Sequence, residues 1–203
     1  MFTLLAFSFV LVSYSQTRIA IKGGFNYSSA KVSYNAIAQP VTAVPGAGIG
    51  LLFKTSFDGP LHFSPYVQLN TRGYVVKPLS GNYTKIKNSI AYLDIVPALS
   101  LDFGKEDKSF VFSVGPVLSF TKLGNEKKTD TNQVSSSGKM KFGFGDYSWV
   151  DLGAATSIGI HFKKTFIEAV YYYGLANINN NSEFDGINIR NRMLSIGFGY
   201  YLK

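Results

Sequence analysis

Cysteine is missing from all 203 residues. Its absence excludes disulfides, thiolate metal centres, cysteine nucleophiles and an acylated N-terminal cysteine. Hydrophobic residues make up 46% of the chain, yet no uninterrupted apolar run reaches the roughly eighteen residues that a helix needs to cross a bilayer. Helical periodicity is absent throughout. Acidic residues are scarce, 12 against 20 basic ones, so the formal net charge is +8. An excess of that size fits an anionic partner, or more simply solvated loops and a charged interior. Only two histidines occur, His62 and His161. Neither has a nearby His, Asp or Glu cluster in the sequence, so no metal and no cofactor is expected.

What the chain does have is aromatics, 17 Phe and 13 Tyr, together with 20 Gly. That mixture suits short strands and turns. Eight stretches alternate apolar and polar residues, at about 18–29, 46–56, 62–74, 89–103, 109–122, 147–162, 165–176 and 190–202. A strand sends successive side chains to opposite faces. In the first stretch Ile19, Ile21, Phe25 and Tyr27 therefore share one face, and Arg18, Lys22, Asn26 and Ser28 the other. In the fourth, Leu93, Ile95, Leu99, Leu101 and Phe103 oppose Tyr92, Asp94, Ser100 and Asp102. The sixth places Trp149 on the polar face with Asp151 and His161. The gaps alternate in length. Those at 30–45, 75–87, 123–146 and 177–189 are long and polar; those at 57–61, 104–108 and 163–164 are tight turns.

This is the pattern of an eight-stranded antiparallel up-and-down transmembrane β-barrel, an all-β fold. Strands of about 9–11 residues tilted by about 45° cross the hydrocarbon layer, and each stretch is at least that long. An even strand number puts both termini on one side together with the tight turns, and the four long loops on the other. A soluble lipid-binding barrel is the rival arrangement. It would bury the apolar face, whereas charges on the minority face and tyrosines near strand ends favour the apolar face outward. Residues 2–12, FTLLAFSFVLV, have the length of a signal-peptide core. Cleavage is expected after Ser15, with Gln16 the alternative, giving a leader of 1–15 and a barrel domain of 16–203.

The candidate site is the set of charges predicted to face the lumen: Lys22, Lys54, Arg72, Asp94, Asp151 and Glu168. A barrel of about eight strands is filled by side chains, so these charges must pair. A structural ion-pair plug is the plain reading, with Arg72 and Asp94 meeting across neighbouring strands. A proton or small-ion path and a catalytic carboxylate pair are the sharper ones. Ser157 and His161 invite comparison with a lipid hydrolase, but four strand positions separate them by roughly 13 Å. Gly46, Gly48 and Gly50 superficially suggest a dinucleotide loop. No helix follows, and alternating glycines more simply leave room for large neighbours. The segment 123–146 is disordered in composition at its centre, while Met140 to Phe144 is expected to extend the hairpin. Its Lys127, Lys128, Lys139 and Lys141 are placed to meet the phosphates of outer-leaflet lipid and lipopolysaccharide. A monomeric barrel with no nucleic-acid partner is expected.

Several segments resemble a known family. They are IKGGFNYSS near the start, YLDIVPALSLDF, FSVGPVLSF, EAVYYYGLANI, and RNRMLSIGFGYYL at the end. Over roughly residues 16–203 the chain is similar to the PorT-like outer-membrane β-barrel proteins common in Bacteroidetes. The resemblance implies a non-enzymatic envelope protein, with a protein-secretion complex as one setting and an envelope protein as partner. Two positions depart from the family pattern. Val170 stands where an inward Arg is usual, and the aromatic C-terminal signal is displaced to Tyr200-Tyr201-Leu202-Lys203. A lipid-modifying outer-membrane enzyme remains the alternative function.

Overall fold

The structure, a computed structural model, describes residues 17–79, 81–105, 107–181 and 186–202. The predicted leader 1–15 lies outside the described residues. Twelve strands form among those described: β1 (Arg18–Tyr34), β2 (Ile37–Ala38), β3 (Val41–Asp58), β4 (Leu61–Phe63), β5 (Tyr66–Val76), β6 (Tyr83–Val96), β7 (Leu99–Lys105), β8 (Lys108–Asp130), β9 (Ser135–Lys139), β10 (Val150–Phe162), β11 (Thr165–Gly174) and β12 (Ile187–Tyr201).

They build eight staves. β4 with β5 makes one and β6 with β7 another, each interrupted next to a proline, Pro65 and Pro97. Proline lacks the N–H that the ladder uses, yet the register runs through. Tyr66↔Val96 continues as Phe63↔Leu99, and Ile95↔Leu118 as Leu99↔Val114. β1 pairs with both β12 and β3, and every pairing is antiparallel, so the sheet closes on itself. The turns β3–β4, β7–β8 and β10–β11 lie at one end with Arg18 and Tyr201; the long connections lie at the other.

The faces are inverted relative to a soluble barrel. Phe25 is 78% exposed and Phe198 58%, and Leu93, Ile95, Phe110 and Phe112 also point outward, while Arg72 and Asp94 are each 2% exposed. Exposed apolar surface on this scale has no place in water; in a bilayer it faces lipid. The interior is not wholly ionic. Three apolar layers share it: Val32, Tyr74, Val76, Ile90 and Ile189 toward the loop end, Val96, Val117, Val170 and Tyr172 in the middle, and Ala20, Leu52, Phe166 and Tyr201 at the turn end. Val170 thus takes its inward place within the middle apolar layer.

Two irregularities are stitched by hydroxyl groups. The β3–β5 register shifts between Ala43 and Gly48. There the Ala47 amide donates to Thr71 Oγ1 at 2.9 Å and the Gly73 amide to Ser28 Oγ at 2.8 Å. The β6–β8 register shifts between Ala91 and Leu93, where Thr121 Oγ1 donates to the Ala91 carbonyl at 2.7 Å. Each hydroxyl satisfies a backbone group that the shift leaves out of the ladder.

Four expectations need correction. The predicted loops 30–45, 75–87 and 123–146 are largely strand, because β1, β3, β6 and β8 run past the apolar band. Above that band both faces are wet, so alternation fades from the sequence while the ladder continues. The supposedly disordered centre of 123–146 is a hairpin pairing Asn125↔Lys139 through Thr129↔Ser135. It is closed by Asp130 Oδ1, which accepts from the amides of Asn132 and Val134 at 2.9 and 2.8 Å. The hairpin arm is therefore 135–139, and Met140 to Phe144 lies beyond it. Trp149 precedes β10, escapes its alternation, and packs on outward-facing Phe120 with ring centres 6.0 Å apart.

Candidate functional site

All six predicted lumen charges point inward and are buried. Five of the six fall into three ion pairs, one of them completed by Asp102. Lys22 meets Glu168, Lys54 meets Asp102, and Arg72 Nη2 lies 2.5 Å from Asp94 Oδ2. Arg72 Nη1 is also 3.8 Å from Asp151 Oδ2. Asp94 accepts further hydrogen bonds from Asn70 Nδ2 and Ser119 Oγ, each at 2.6 Å, and Asp151 one from Asn191 Nδ2 at 2.8 Å. The Arg72 guanidinium is held between two rings, 4.1 Å from the Tyr172 centre and 4.7 Å from the Tyr92 centre. Alternation along the strands identified the charges. Their neutral partners Asn70, Ser119 and Asn191 went unselected because polar residues on an inward face carry no mark of which will meet.

This packing leaves little space. The void among Lys22, Tyr66, Arg72, Asp94, Glu168 and Tyr172 is about 10 Å³, room for about one water. No substrate fits beside the carboxylates. Glycines contribute to the close packing. A Cβ on Gly48 would collide with Asn70, and one on Gly153 would lie 2.5 Å from the Tyr172 ring.

At the turn end His62 meets one carboxylate and one hydroxyl from other staves. Its Nε2 lies 3.7 Å from Asp102 Oδ2 and its Nδ1 3.0 Å from Ser56 Oγ. The sequence hid this because the three residues sit on three staves. The set resembles a nucleophile relay in composition, but Asp102 is held by Lys54, and 3.7 Å is too long for a hydrogen bond to orient the imidazole. His161 does not meet Ser157. It stacks on Phe166 at 4.6 Å and its Nδ1 lies 2.8 Å from the Tyr201 hydroxyl. No group of three His, Cys, Asp or Glu suited to a metal occurs among the described residues.

At the loop end, strand alternation divides the four predicted lysines. Lys128 turns inward and pairs with Glu126 at 2.6 Å, and Lys141 lines the mouth beside Met140. Lys127 and Lys139 face outward, joined by Lys85 and Lys87 of β6. Those two lie in 75–87, whose polar composition reads as loop; lysine at every second position is the strand signal there. Lys87 stands directly opposite Lys127. Across the barrel, Lys31 stands opposite Arg190, and Arg192 lies over the Tyr173 ring at 5.3 Å.

A family model described as outer membrane protein beta-barrel domain matches residues 14–180. The chain belongs to that family. The family barrel is all-β and lies in the outer membrane. Small barrels of the same kind are its structural neighbours. Ail, the attachment invasion locus protein of Yersinia pestis, solved with the heparin analogue sucrose octasulfate, is 15% identical, with 92% of this chain and 99% of that one covered and a TM-score of 0.45. Neisserial surface protein A is 16% identical over 90% and 96%, with a TM-score of 0.42. The N-terminal barrel domain of Pseudomonas aeruginosa OprF is 11% identical over 92% and 100%, with a TM-score of 0.30. No curated protein matches the chain. In an outer-membrane barrel the short turns are periplasmic, which puts both ends of the barrel wall in the periplasm and the β8–β9 hairpin outside.

Proposed function

We propose that this family barrel is non-enzymatic, that it is anchored in the outer leaflet by a lysine face, and that it presents the β8–β9 hairpin at the cell surface. One observation carries the reading. The outward positions of the β6–β8–β9 extension are Lys85, Lys87, Ser89, Asn125, Lys127, Thr129, Ser135, Ser137 and Lys139. They include four lysines and no carboxylate. Like charges directly opposite one another, as Lys87 and Lys127 are, repel. A phosphate between them turns that repulsion into attraction.

The height of the face selects the partner. On the same outward rows, Ala91 and Leu123 lie below Lys87 and Lys127 at the edge of the apolar band. The lysines therefore sit at headgroup level, where lipopolysaccharide carries its phosphates. Lys31, Arg190 and Arg192 continue the collar on the opposite wall. The test is lipopolysaccharide binding by the barrel in nanodiscs, compared with its dephosphorylated form. Replacing Lys85, Lys87, Lys127 and Lys139 by Gln is expected to weaken binding at least tenfold, about 1.4 kcal/mol. It is also expected to flatten the salt dependence. Equal binding by the variant, or of the dephosphorylated lipid, contradicts the reading.

The PorT-like segments support a finer version, in which the ordered hairpin meets an envelope protein of a secretion complex. A Cys placed at Ser136 gives assignable crosslinks in intact cells because the chain has no native thiol. An adduct with an envelope protein is expected; none over repeated trials counts against this version.

A further inference from the structure

The β8–β9 hairpin has an open edge. β9 stands on β8 above β10, and β8 is its only strand partner among the described residues. β11, which pairs with β10 lower down, ends at Gly174 and does not reach it. All five residues of β9 are exposed.

The register decides which backbone groups face that edge. At one end of the ladder the Asp130 amide donates to the Val134 carbonyl at 3.0 Å, and at the other the Met140 amide donates to the Gly124 carbonyl at 2.9 Å. Hydrogen-bonded pairs alternate along an antiparallel ladder. Ser136 and Gly138 therefore bond to β8, and the N–H and C=O groups of Ser135, Ser137 and Lys139 point away from it. Such an edge is a template for another strand, and proteins commonly blunt it with proline, a bulge or an inward charge. β9 has no proline, no register shift against β8, and only Ser136 and Gly138 on its inward side.

A groove of about 590 Å³ runs along the edge. Its apolar lining is Tyr83, Ile86, Met140, Tyr147, Ile187 and Ile189. Gly138 opens onto free space, since a Cβ there would meet nothing within 4 Å. The charges around the groove do not balance. Glu126 pairs with Lys128 at 2.6 Å, which leaves Lys139 and Lys141 against Asp146 among the described lining residues. A strand laid along β9 sends alternate side chains to two sides. One set enters the apolar groove. The other lies outside, next to Lys139 and within reach of Lys127 across the small Ser137.

We propose that β9 is a docking edge for an extended segment of a partner protein, about as long as β9 itself, in which carboxylates alternate with branched apolar residues. The segment joins the sheet as an added strand. The main-chain groups of Ser135, Ser137 and Lys139 hold its backbone, the groove takes its apolar side chains, and Lys127 and Lys139 meet its carboxylates. The proposal rests on the hairpin being presented at the surface, as above, and says how that hairpin holds a protein.

The test uses the full barrel in phosphatidylcholine nanodiscs. The probe is a fluorescein-labelled heptapeptide of alternating glutamate and valine, and its counterpart alternates lysine and valine. Saturable binding of the glutamate peptide is expected by fluorescence anisotropy, with the lysine peptide roughly tenfold weaker or worse because each attraction becomes a repulsion. At saturation, amide exchange followed by NMR is expected to slow at Ser135, Ser137 and Lys139 and to change little at Ser136 and Gly138, which already bond to β8. Ser137→Pro removes an edge donor that the β8 ladder does not use, and is expected to weaken binding roughly tenfold. Lys127→Glu with Lys139→Glu is expected to invert the preference between the two peptides. Failure of the glutamate peptide to saturate, equal affinity for both peptides, no slowing at the three edge amides, unchanged binding by the Ser137→Pro variant, or an unchanged preference in the double glutamate variant overturns the proposal. A nanodisc leaves both sides of the barrel open and holds no lipopolysaccharide, so failure here is separable from failure of the surface and lipid readings.

Discussion

Arg72 is the residue on which the interior turns. It neutralises Asp94, approaches Asp151, and is clasped by Tyr92 and Tyr172. Removing one partner of a buried pair leaves the other charged and unpaired, at about 3–5 kcal/mol. Arg72→Met, which strands two carboxylates, is expected to fall in that range in urea titrations followed through the single Trp149. Arg72→Met with Asp94→Leu is expected to recover part of the loss; additive losses contradict direct coupling. Gly153→Ala tests the packing rather than the charge. Its Cβ meets the Tyr172 ring that clasps Arg72, so overpacking of about 1–3 kcal/mol is expected by the same titration. A neutral result means that the ring is free to move aside. Much at this scale was legible beforehand. Lys22, Arg72, Asp94 and Glu168 sit on inward faces because period-two alternation allows no other place once the apolar face is known. The Ser56–His62–Asp102 cluster was not legible, since its members come from different staves and nothing in a single strand announces what lies across from it.

The elements were readable where lipid enforces a pattern and obscure where it does not. Within the membrane an outward polar residue is costly, so the sequence alternates and strand identity is plain. Beyond it, β8 continues to Asp130 on residues such as Asn125, Glu126, Lys127, Lys128 and Thr129, whose composition alone reads as solvated coil. What holds them is the ladder to β6 and β9 and the Asp130 turn. Hydrogen exchange distinguishes the two descriptions. The amides of 125–129 that pair in the ladder are expected to exchange slowly, well behind those of the hairpin tip at 131–134. Equally fast exchange across 123–139 contradicts an ordered hairpin. The prolines teach the complementary lesson: Pro65 and Pro97 interrupt strand assignment but not register, so they mark pauses in one stave rather than boundaries between two.

At the scale of the molecule, two properties follow from one inversion. Outward apolar residues place the barrel in the outer membrane, and inward residues pack until only a water-sized void remains at its centre. Reconstituted in planar bilayers, the protein is expected to show no stable single-channel conductance; steady openings contradict a sealed lumen. The most direct test of the account maps which side chains meet lipid. Single cysteines at Leu93, Phe112, Ile158 and Ile196, and at Ser119, Ala155, Met193 and Ser195, are spin-labelled in lipid vesicles, and collision rates with dissolved oxygen and with a nickel chelate are measured. The account predicts high oxygen access at the first four and low access to both reagents at the second four. Labels at 119, 155, 193 and 195 that collide freely with oxygen, beside shielded labels at 93, 112, 158 and 196, would contradict it.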